Sequence, residues 1–474
     1  MRVKVLSVLL ILFFVTAVFA QSPTLSLVFA FPCNTSTFVC PDGYFPEELI
    51  EGSDGNFYGA AAGGGLGKNA QGTVFKITPS GEISVIYSFA ENPDGSLPNG
   101  SAPGSLVEGT DGFLYGITSE NGANGFGTLC KLSKTGTVQV LHNFCGTESC
   151  SDGANPGFLM QAIDGNFYGG TGPTDYPTSV LFRMTRSGTY TVLRTFDSKT
   201  QPDGTGIYGM VQAADGNLYG TTVAGAQFTP YNSLFRFNLV NGQYTILHGF
   251  NTPNFNLPGV ATSAPVLTAS GQLFGLQAFG DMYEMSLTGN YRKIGNLSRE
   301  GFFDGNILQG SDGNLWGDFL GGDCSGEGIA FSASTTGTLL QSVTFDCNTI
   351  GEEPAAMIQA ADGKFYGVTL GFGGVSTNPV LDGTIWSLDG GLLPPSPGIT
   401  AFRPASGKVG WRVIVQGSHL VGATAVTVNG VNAAFQVLSV NYISLTVPSG
   451  ATTGPIAITN AGGTTASAKP FTVQ

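Results

Sequence analysis

Asp54-Gly-Asn-Phe-Tyr-Gly59 is the stretch that decides the fold, because near copies of it recur along most of the chain. The other copies are Asp111-Gly-Phe-Leu-Tyr-Gly116, Asp164-Gly-Asn-Phe-Tyr-Gly169, Asp215-Gly-Asn-Leu-Tyr-Gly220, Ser270-Gly-Gln-Leu-Phe-Gly275, Asp312-Gly-Asn-Leu-Trp-Gly317 and Asp362-Gly-Lys-Phe-Tyr-Gly367. Their first residues are successively 57, 53, 51, 55, 42 and 50 positions apart. A unit of about fifty residues is the size of one four-stranded blade of a β-propeller.

Each unit carries four strand signals. A short apolar segment precedes the phrase, and the phrase itself begins the second strand after an Asp-Gly turn, where glycine accepts a positive φ without strain. Thr73-Val-Phe-Lys-Ile77 is the third strand of the first unit, and Ser84-Val-Ile-Tyr-Ser-Phe89 is the fourth. The sequence therefore predicts seven blades of four strands each.

The two ends of the repeat array predict that it closes into a ring. The seventh unit has its third strand at Thr384-Ile-Trp-Ser-Leu388, and a Gly- and Pro-rich segment then replaces the fourth strand. Leu25-Ser-Leu-Val-Phe-Ala-Phe31 has the fourth-strand pattern but precedes the first complete unit. Pairing residues 25–31 with 384–388 would complete the seventh blade and remove an exposed sheet edge. We expect an all-β, seven-bladed propeller closed by an N-terminal strand.

Beyond the Pro-rich segment Leu392-Leu-Pro-Pro-Ser-Pro397 the aromatic repeat stops. Short strands with alternating polarity follow, and turns at Asn429-Gly430 and Ala461-Gly-Gly463 separate some of them. This pattern predicts a small immunoglobulin-like β-sandwich. The predicted organisation is a signal peptide at 1–20, the propeller at 21–390, a linker at 391–397 and the sandwich at 398–474.

Two families resemble this chain. The repeated phrase, with Gly72-Thr-Val-Phe-Lys-Ile77 and Leu141-His-Asn-Phe144 after it, resembles the GloVer tandem repeats of exported bacterial proteins, over roughly residues 25–390. Residues 397–474 resemble an IPT/TIG domain, with Ile399-Thr-Ala-Phe-Arg-Pro404, Val428-Asn-Gly430 and Phe471-Thr-Val473 as matching features. The resemblances imply a fold, an exported location and a C-terminal spacer or binding module, and they imply no reaction.

The N-terminus and the overall charge bear on location and partners. Arg2 and Lys4 precede an apolar run at 5–18 and small residues up to Ala20, which predicts a signal peptide and a secreted, periplasmic or cell-surface protein. No later segment is long and apolar enough for a membrane-spanning helix, so no transmembrane segment is expected in the mature chain. The net charge of −13 disfavours nucleic acid as a partner.

Seven cysteines in an exported chain indicate disulfides and one remaining thiol. The predicted disulfide cysteines are Cys33 with Cys40, Cys145 with Cys150, and Cys324 with Cys347. Cys130 remains, at a strand position where three other repeats have Phe75, Phe182 and Phe235. We interpret Cys130 as a buried core residue without a catalytic role.

The longest loops lie between the second and third strands and between successive blades, on one face of the propeller. Function concentrates on such loops when a rigid scaffold carries them, so we expect ligands at this long-loop face and at the mouth of the central channel. Five loop aspartates, each followed by glycine, and three loop aromatics are the candidate ligand-binding residues: Asp42, Asp94, Asp152, Asp203, Asp304, Tyr176, Phe228 and Tyr231. The aspartates either contact a ligand or stabilise their own turns; the aromatics either stack on sugars or pack on neighbouring blades.

Several residue types argue against a catalytic centre or a metal centre. The aspartates of the repeated phrase are interpreted as turn residues that accept hydrogen bonds from nearby backbone N–H groups. His142 and His248 occupy equivalent repeat positions, which disfavours a zinc site or a histidine-based triad. No EF-hand spacing occurs, so no metal site or cofactor is predicted, although Ca²⁺ is the ion that the loop carboxylates would accept.

The leading functional hypothesis is an exported, non-enzymatic binding protein whose long loops contact a glycan or a protein. The first alternative is a glycoside hydrolase or lyase that acts on polysaccharides with carboxylates at the channel mouth. The second alternative is a structural protein of the cell envelope. The sequence identifies neither the ligand nor the oligomeric state.

Overall fold

A computed structural model describes residues 22–33, 39–172, 178–197, 204, 206–222, 231–251, 263–277, 280–297, 306–319, 328–346, 349–371 and 381–474. Their regular secondary structure is β-strand, without an α-helix in any of these ranges. Accordingly, this part of the chain contains no helix that is long and apolar enough to cross a membrane.

The propeller begins with an N-terminal strand, β1 (Thr24–Pro32), which belongs to the last blade. Blade 1 then contains β2 (Tyr44–Glu51), β3 (Phe57–Gly63), β4 (Thr73–Ile77) and β5 (Ile83–Ser88). Blade 2 contains β6 (Ser101–Glu108), β7 (Leu114–Glu120), β8 (Thr128–Leu132) and β9 (Val138–Asn143). Blade 3 contains β10 (Pro156–Gln161), β11 (Phe167–Thr171), β12 (Thr178–Met184) and β13 (Tyr190–Asp197). Each blade is an antiparallel sheet in sequence order.

The next three blades follow the same order. Blade 4 contains β14 (Ile207–Gln212), β15 (Leu218–Thr222), β16 (Tyr231–Phe237) and β17 (Tyr244–Asn251). Blade 5 contains β18 (Val266–Leu267), β19 (Gln272–Gln277), β20 (Asp281–Ser286) and β21 (Tyr291–Asn296). Blade 6 contains β22 (Ile307–Gln309), β23 (Leu315–Phe319), β24 (Ile329–Ala333) and β25 (Leu339–Thr344).

Blade 7 contains β26 (Glu352–Gln359), β27 (Phe365–Gly371) and β28 (Leu381–Asp389), and β1 supplies its fourth strand. The antiparallel register runs from Thr24 opposite Asp389 to Pro32 opposite Leu381. The prediction that the N-terminal strand closes the ring is therefore confirmed. Closure pairs β1 with β28, and in an open array each of these two strands would have an unpaired edge.

The C-terminal module consists of two packed sheets. Their strands are β29 (Gly398–Arg403), β30 (Ser406–Gly407), β31 (Arg412–Ser418), β32 (Ala425–Val428), β33 (Val431–Asn432), β34 (Phe435–Ser439), β35 (Tyr442–Thr446), β36 (Gly454–Asn460) and β37 (Gly463–Val473). One sheet has the order β29-β31-β35-β34 and the other β30-β37-β36-β32-β33. Buried side chains from both sheets, among them Val415, Ile443, Ile458 and Phe471, form one hydrophobic core, as in an immunoglobulin-like sandwich.

Close packing inside the blades explains the glycine that ends the repeated phrase. A Cβ added to Gly59 would lie 2.3 Å from the ring of Phe75, and one added to Gly169 would lie 2.3 Å from the ring of Phe182. Aromatic rings of the third strand cover Gly220, Gly275, Gly317 and Gly367 in the same way. A side chain at these positions would displace a buried ring, which is costly in a close-packed core.

A set of glutamates and glutamines joins neighbouring blades. Each ends the first strand of its blade and accepts a hydrogen bond from a backbone N–H in the Asp-Gly turn of the preceding blade. The pairs are Glu108 with Ser53 N (2.7 Å), Gln161 with Thr110 N (3.0 Å), Gln212 with Ile163 N (2.9 Å), Gln309 with Ala269 N (2.8 Å), Gln359 with Ser311 N (2.9 Å) and Glu51 with Ala361 N (3.2 Å). The fifth blade has Leu267 at this position. The sequence signal is Glu or Gln three residues before the Asp-Gly pair.

The glutamines also close their own turns, since each side-chain NH2 donates to a glycine carbonyl four residues later. The distances are 3.1 Å for Gln161 to Gly165 O, 3.2 Å for Gln212 to Gly216 O, and 3.0 Å each for Gln309 to Gly313 O and Gln359 to Gly363 O. Glutamate cannot donate this bond. Glu108 forms a 2.6 Å ion pair with Lys134 instead, whereas Oε2 of buried Glu51 has no hydrogen-bond partner in the described structure.

Disulfides join Cys33 to Cys40 and Cys145 to Cys150, two of the three pairs that the sequence predicts. Each lies in the connection that enters the first strand of a blade, next to Asp42 and Asp152 respectively. Cys324 and Cys347 lie outside the described residues. Cys130 is a buried free thiol, as predicted. Disulfides are compatible with an extracellular protein.

Candidate functional site

Three of the predicted loop aspartates belong to the described structure, and they have different surroundings. Asp94 accepts hydrogen bonds from the backbone N (2.9 Å) and the hydroxyl (2.6 Å) of Ser96, and these bonds lower its pKa. Asp152 contacts His142 Nε2 at 3.0 Å and accepts a hydrogen bond from Gly146 N at 3.2 Å. Both carboxylates thus stabilise their own loops in this structure.

Asp42 differs, because the structure shows no hydrogen bond from a described residue to its carboxylate. Its backbone carbonyl accepts a hydrogen bond from Thr73 Oγ1 at 2.9 Å. Desolvation by burial raises the pKa of its carboxyl group. Asp42 therefore remains a candidate ligand contact, two residues before the first strand of blade 1.

The remaining predicted ligand residues are Asp203, Asp304, Tyr176, Phe228 and Tyr231. Asp203, Asp304, Tyr176 and Phe228 lie outside the described residues, and Tyr231 is the first residue of β16. Their roles as ligand contacts stay predictions.

The histidines and the aspartates of the repeated phrase serve the scaffold. The ring of His142 stacks on Tyr190 of the next blade at 3.9 Å, and His248 stacks on Tyr291 at 3.7 Å. The phrase aspartates accept hydrogen bonds from the aromatic residue four positions later, for example from Tyr58 Oη to Asp54 at 2.8 Å. The same bond recurs in five further blades, at Asp111, Asp164, Asp215, Asp312 and Asp362. These carboxylates are therefore occupied within their own hairpins.

Sequence reasoning missed a pair of glutamates on the wall of the central channel. First strands of the blades surround the channel, and Glu47 and Glu48 lie in the first strand of blade 1. A β-bulge between Pro46 and Glu48 interrupts the pairing with β3, which leaves Glu47 without a partner residue in the ladder. Glu47 is exposed to the channel and Glu48 is half-buried.

Both glutamates of this pair have raised pKa values. Desolvation raises the pKa of Glu47 to about 7 and that of Glu48 to about 8, and the negative charge of Glu47 adds to the rise at Glu48. The side chain of Glu47 is exposed to solvent although protein surrounds much of it, so its desolvation is partial. No described residue forms an ion pair with either carboxylate. A bound positive charge would stabilise their ionised forms.

A repeat alignment would have singled out these residues. Where blade 1 has Pro46-Glu-Glu, blade 2 has Pro103-Gly-Ser, blade 3 has Pro156-Gly-Phe and blade 7 has Pro354-Ala-Ala. Small or apolar residues are thus usual at this depth of the channel. The sequence signal is that two adjacent glutamates replace the small or apolar residues of these other blades, because the fold of the repeat does not require acidic residues at these positions.

Exposed apolar residues lie at the long-loop end of blade 1. Phe45 is 45% exposed, and the Tyr44 ring packs edge-on against it at 5.1 Å. Val39 and Leu66 are 54% and 58% exposed. Gly65 N donates to Cys40 O at 2.8 Å, which ties the loop of Leu66 to the disulfide beside Val39. We call Val39, Tyr44, Phe45, Glu47 and Leu66 the blade-1 patch.

The immunoglobulin-like module covers part of the opposite, tight-turn face. Tyr442 Oη donates to the backbone carbonyl of Gln161 at 2.8 Å in a buried contact, and Gln416 Nε2 donates to Tyr442 Oη at 3.0 Å. The segment between the domains also packs on this face, where Ser311 Oγ donates to Leu393 O at 2.7 Å. These hydrogen bonds of the module and of the linker segment therefore lie on the tight-turn face.

The described residues contain no group of three or more His, Cys, Asp or Glu side chains arranged to hold a metal ion. The blade-1 patch accordingly combines one carboxylate, that of Glu47, with exposed apolar side chains, and Glu48 follows Glu47 in the same strand. Such a surface can bind a positively charged group by charge complementarity and an apolar group by burial.

Family models match both parts of the chain. Residues 33–174 and 156–385 match the Gloeobacter/Verrucomicrobia repeat, and residues 397–473 match the IPT/TIG domain. The search of curated proteins finds no match.

Solved structures are similar at the level of the fold. A fungal alcohol oxidase of the AA5 family, in complex with copper, aligns with a TM-score of 0.51 and 13% identity, covering 91% of this chain and 98% of that chain. A putative gluconolactonase aligns with a TM-score of 0.40 and 11% identity, covering 77% and 91%. A calcium-binding regucalcin from Agrobacterium tumefaciens aligns with a TM-score of 0.40 and 12% identity, covering 60% and 88%. At these identities the likeness concerns the fold alone.

Proposed function

The chain belongs to the Gloeobacter/Verrucomicrobia repeat family and carries an IPT/TIG domain, and from this premise we propose that it is an exported binding protein whose long-loop face takes a glycan or protein ligand with a positively charged group. The observation that carries the proposal is the pair Glu47 and Glu48, which has no cationic partner among the described residues. Both parts of the chain fit an interaction protein. The copper and the oxidation chemistry of the fungal enzyme are not transferred, because that likeness concerns the fold alone.

Two features support the long-loop end of the channel as the binding surface. The blade-1 patch offers apolar side chains beside the glutamates, and ligand burial of Phe45 would be favourable by about 25 cal/mol per Å² of apolar surface. The docked sandwich occupies the opposite face through the Tyr442–Gln161 contact. Asp42, next to the same strand, extends the acidic surface. Export itself rests on the predicted signal peptide and on the disulfides.

Glycan and peptide arrays, each containing free-amine and N-acetylated probes, would test the proposal with the full-length protein in the presence and absence of Ca²⁺. We expect the hits to carry free amines or basic side chains. Glu47→Gln should weaken binding at least tenfold, because it removes the charge without changing the shape of the side chain. Glu82→Gln is the matched control, since Glu82 is an exposed glutamate in a turn on the opposite face.

Two results would contradict this function. One is a blank result on both arrays in both conditions. The other is a set of hits that Glu47→Gln leaves unchanged, because binding would then depend on a different surface. Loss of binding in both Glu47→Gln and Glu82→Gln would indicate a general effect of net charge and would equally refute the site.

A polysaccharide-active hydrolase or lyase is the second candidate, and the raised pKa values favour it. A carboxyl group with a pKa near neutrality can donate a proton to a leaving group, and a neighbouring carboxylate can act as base or nucleophile. Incubation of the protein with a panel of polysaccharides, followed by measurement of released reducing ends and unsaturated sugars, tests this candidate. Activity that both Glu47→Gln and Glu48→Gln abolish would establish it, and the absence of products across the panel would exclude it for those substrates.

A further inference from the structure

Blade 2 lacks the aromatic ring that fills the other blades. Its phrase glycine, Gly116, lies opposite Cys130, whereas Gly59 and Gly169 lie opposite Phe75 and Phe182. A Cβ added to Gly116 would meet only Leu106 Cδ1 at 3.2 Å and a backbone oxygen at 3.6 Å. The ring position above Gly116 is therefore only partly filled by Leu106.

A cavity occupies this position between blades 1 and 2. The cavity is small and partly open to solvent, and its wall is almost entirely apolar. The lining side chains include Val74, Phe89, Leu106, Ile117 and Cys130. Apolar walls of this kind do not hold water well but do accept apolar groups.

The cavity is partly open to solvent, and the exposure of its lining residues is consistent with this. Gly116 is half-buried, whereas the six glycines at the same repeat position are all fully buried: Gly59, Gly169, Gly220, Gly275, Gly317 and Gly367. Gly104, a partly exposed lining residue, lies in the first strand of blade 2, and the first strands surround the channel. A ligand can therefore enter from the channel side.

A carboxylate lies at this entrance. A Cβ added to Gly104 would come within 3.2 Å of Glu47 Oε2, so the negative charge of Glu47 stands next to a residue that lines the cavity. The thiol of Cys130 is not a second reactive group, because burial raises its pKa to about 11 and keeps it protonated. The site thus offers apolar contact inside and one negative charge at the mouth.

We propose that the cavity between blades 1 and 2 binds a small apolar group, a single ring or a short branched alkyl, that carries a primary amine, with the apolar part above Gly116 and the amine at Glu47. The inference rests on the proposed function, because both place the positively charged group of the ligand at Glu47. It adds which apolar group of the ligand would bind in the cavity. The dimensions follow from the sister blades, where a phenylalanine ring fills the equivalent place. The amine follows from charge complementarity with a glutamate that lacks a described cationic partner.

Benzylamine and its neutral counterpart benzyl alcohol test the site by isothermal titration calorimetry and saturation-transfer NMR on the full-length protein. At pH 8, above the pKa of about 7 of Glu47, we expect benzylamine to bind the wild type, and benzyl alcohol to bind at least tenfold more weakly. Cys130→Phe should abolish both interactions because it restores the ring of the sister blades, while Cys130→Ala, which keeps the cavity open, should retain them. Glu47→Gln should reduce benzylamine binding to the level of benzyl alcohol.

Equal binding of benzylamine to Cys130→Phe and to the wild type would overturn the inference, as would the absence of benzylamine binding to the wild type. Circular dichroism and the melting temperature of each variant distinguish a filled cavity from a misfolded blade. One result would separate this inference from the proposed function. Array hits that depend on Glu47 but persist in Cys130→Phe would support the ligand site on the long-loop face and would refute only the binding of the ligand's apolar group in the cavity.

Discussion

Glu51 occupies a position where four other blades have glutamine, and Glu51→Gln is the change that tests the blade-joining hydrogen bonds. Glu51 Oε1 accepts a hydrogen bond from Ala361 N at 3.2 Å, across the junction that closes the ring. Its other oxygen is buried without a hydrogen-bond partner in the described structure. Glutamine would keep the acceptor and add a donor for the Gly55 carbonyl, as Gln161 does for Gly165.

The magnitude follows from the pKa of the buried carboxyl group. Desolvation is the largest cause of the shift and raises the pKa of Glu51 to about 7, against an ordinary value of 4.5. A raised folded-state pKa means that the folded protein holds the proton more tightly than the unfolded chain does. The stability that this proton supplies is fully present below about pH 4.5 and is lost as the pH rises through about 7. The loss is about 3 kcal/mol, at 1.36 kcal/mol per pKa unit.

Glu51→Gln removes this pH-dependent loss, because glutamine does not ionise. We expect the variant to be more stable than the wild type by about 3 to 4 kcal/mol at pH 8, including about 1 kcal/mol for the added hydrogen bond, and by only about 1 kcal/mol at pH 4. For a domain of this size each kcal/mol raises the melting temperature by about 1 to 2 °C.

Differential scanning calorimetry of both proteins between pH 4 and pH 8 measures this effect. Glu108→Gln is the matched control, since Glu108 already has Lys134 at 2.6 Å and hydrogen bonds from Ser53. That variant should gain nothing, because it removes an ion pair that the structure uses. The reasoning is refuted if Glu51→Gln is no more stable than the wild type at pH 8, or if its advantage does not grow with pH.

Three further changes test the closure, the blade joints and the domain contact. Phe31→Ala should lower the free energy of unfolding by about 3 to 5 kcal/mol, because Phe31 is fully buried in the closing blade. The control is Leu27→Ala, a change at a partly exposed residue of the same strand, and both variants are compared by urea unfolding. Equal stability of the two variants would contradict the role of this strand in closing the ring. Gln359→Ala should cost about 1 to 3 kcal/mol in the same assay by leaving a backbone N–H unpaired, whereas exposed Gln139→Ala should cost less than about 0.5. Tyr442→Phe removes the hydrogen bond from Tyr442 Oη to Gln161 O and should weaken the docking of the two domains by about 1 kcal/mol. Protease cleavage of the inter-domain segment should therefore be faster in the variant. An unchanged cleavage rate would show that this hydrogen bond does not hold the domains together.

Most of the fold could be predicted because short sequence patterns that recur along the chain determine it. Seven copies of one phrase specify the blade, and the displaced strand at 25–31 specifies closure, since an unpaired edge is unfavourable wherever the strand begins. The disulfides Cys33–Cys40 and Cys145–Cys150 could be predicted for the same reason, as their partners lie within one loop. Period-two alternation sufficed for the sandwich.

The candidate site could not be predicted in the same way, because it depends on departures from the repeat. For the loop aspartates Asp94 and Asp152 the sequence left two roles open, ligand contact or turn stabilisation, and the structure shows that their carboxylates accept hydrogen bonds within their own loops. Glu47 and Glu48 read as ordinary strand residues, and only the bulge at Pro46 and the position of β2 beside the channel show where they lie.

By itself, the sequence determined the number of blades, the strand that closes them, the C-terminal sandwich and the substitution of Cys130 for an aromatic residue. Only the tertiary structure decided that the sandwich covers the tight-turn face, that Glu47 stands at the entrance of a cavity, and that this cavity remains open. The physical reason is that a cavity depends on whether neighbouring side chains can move into the space, and Leu106 fills the place of the missing ring only in part.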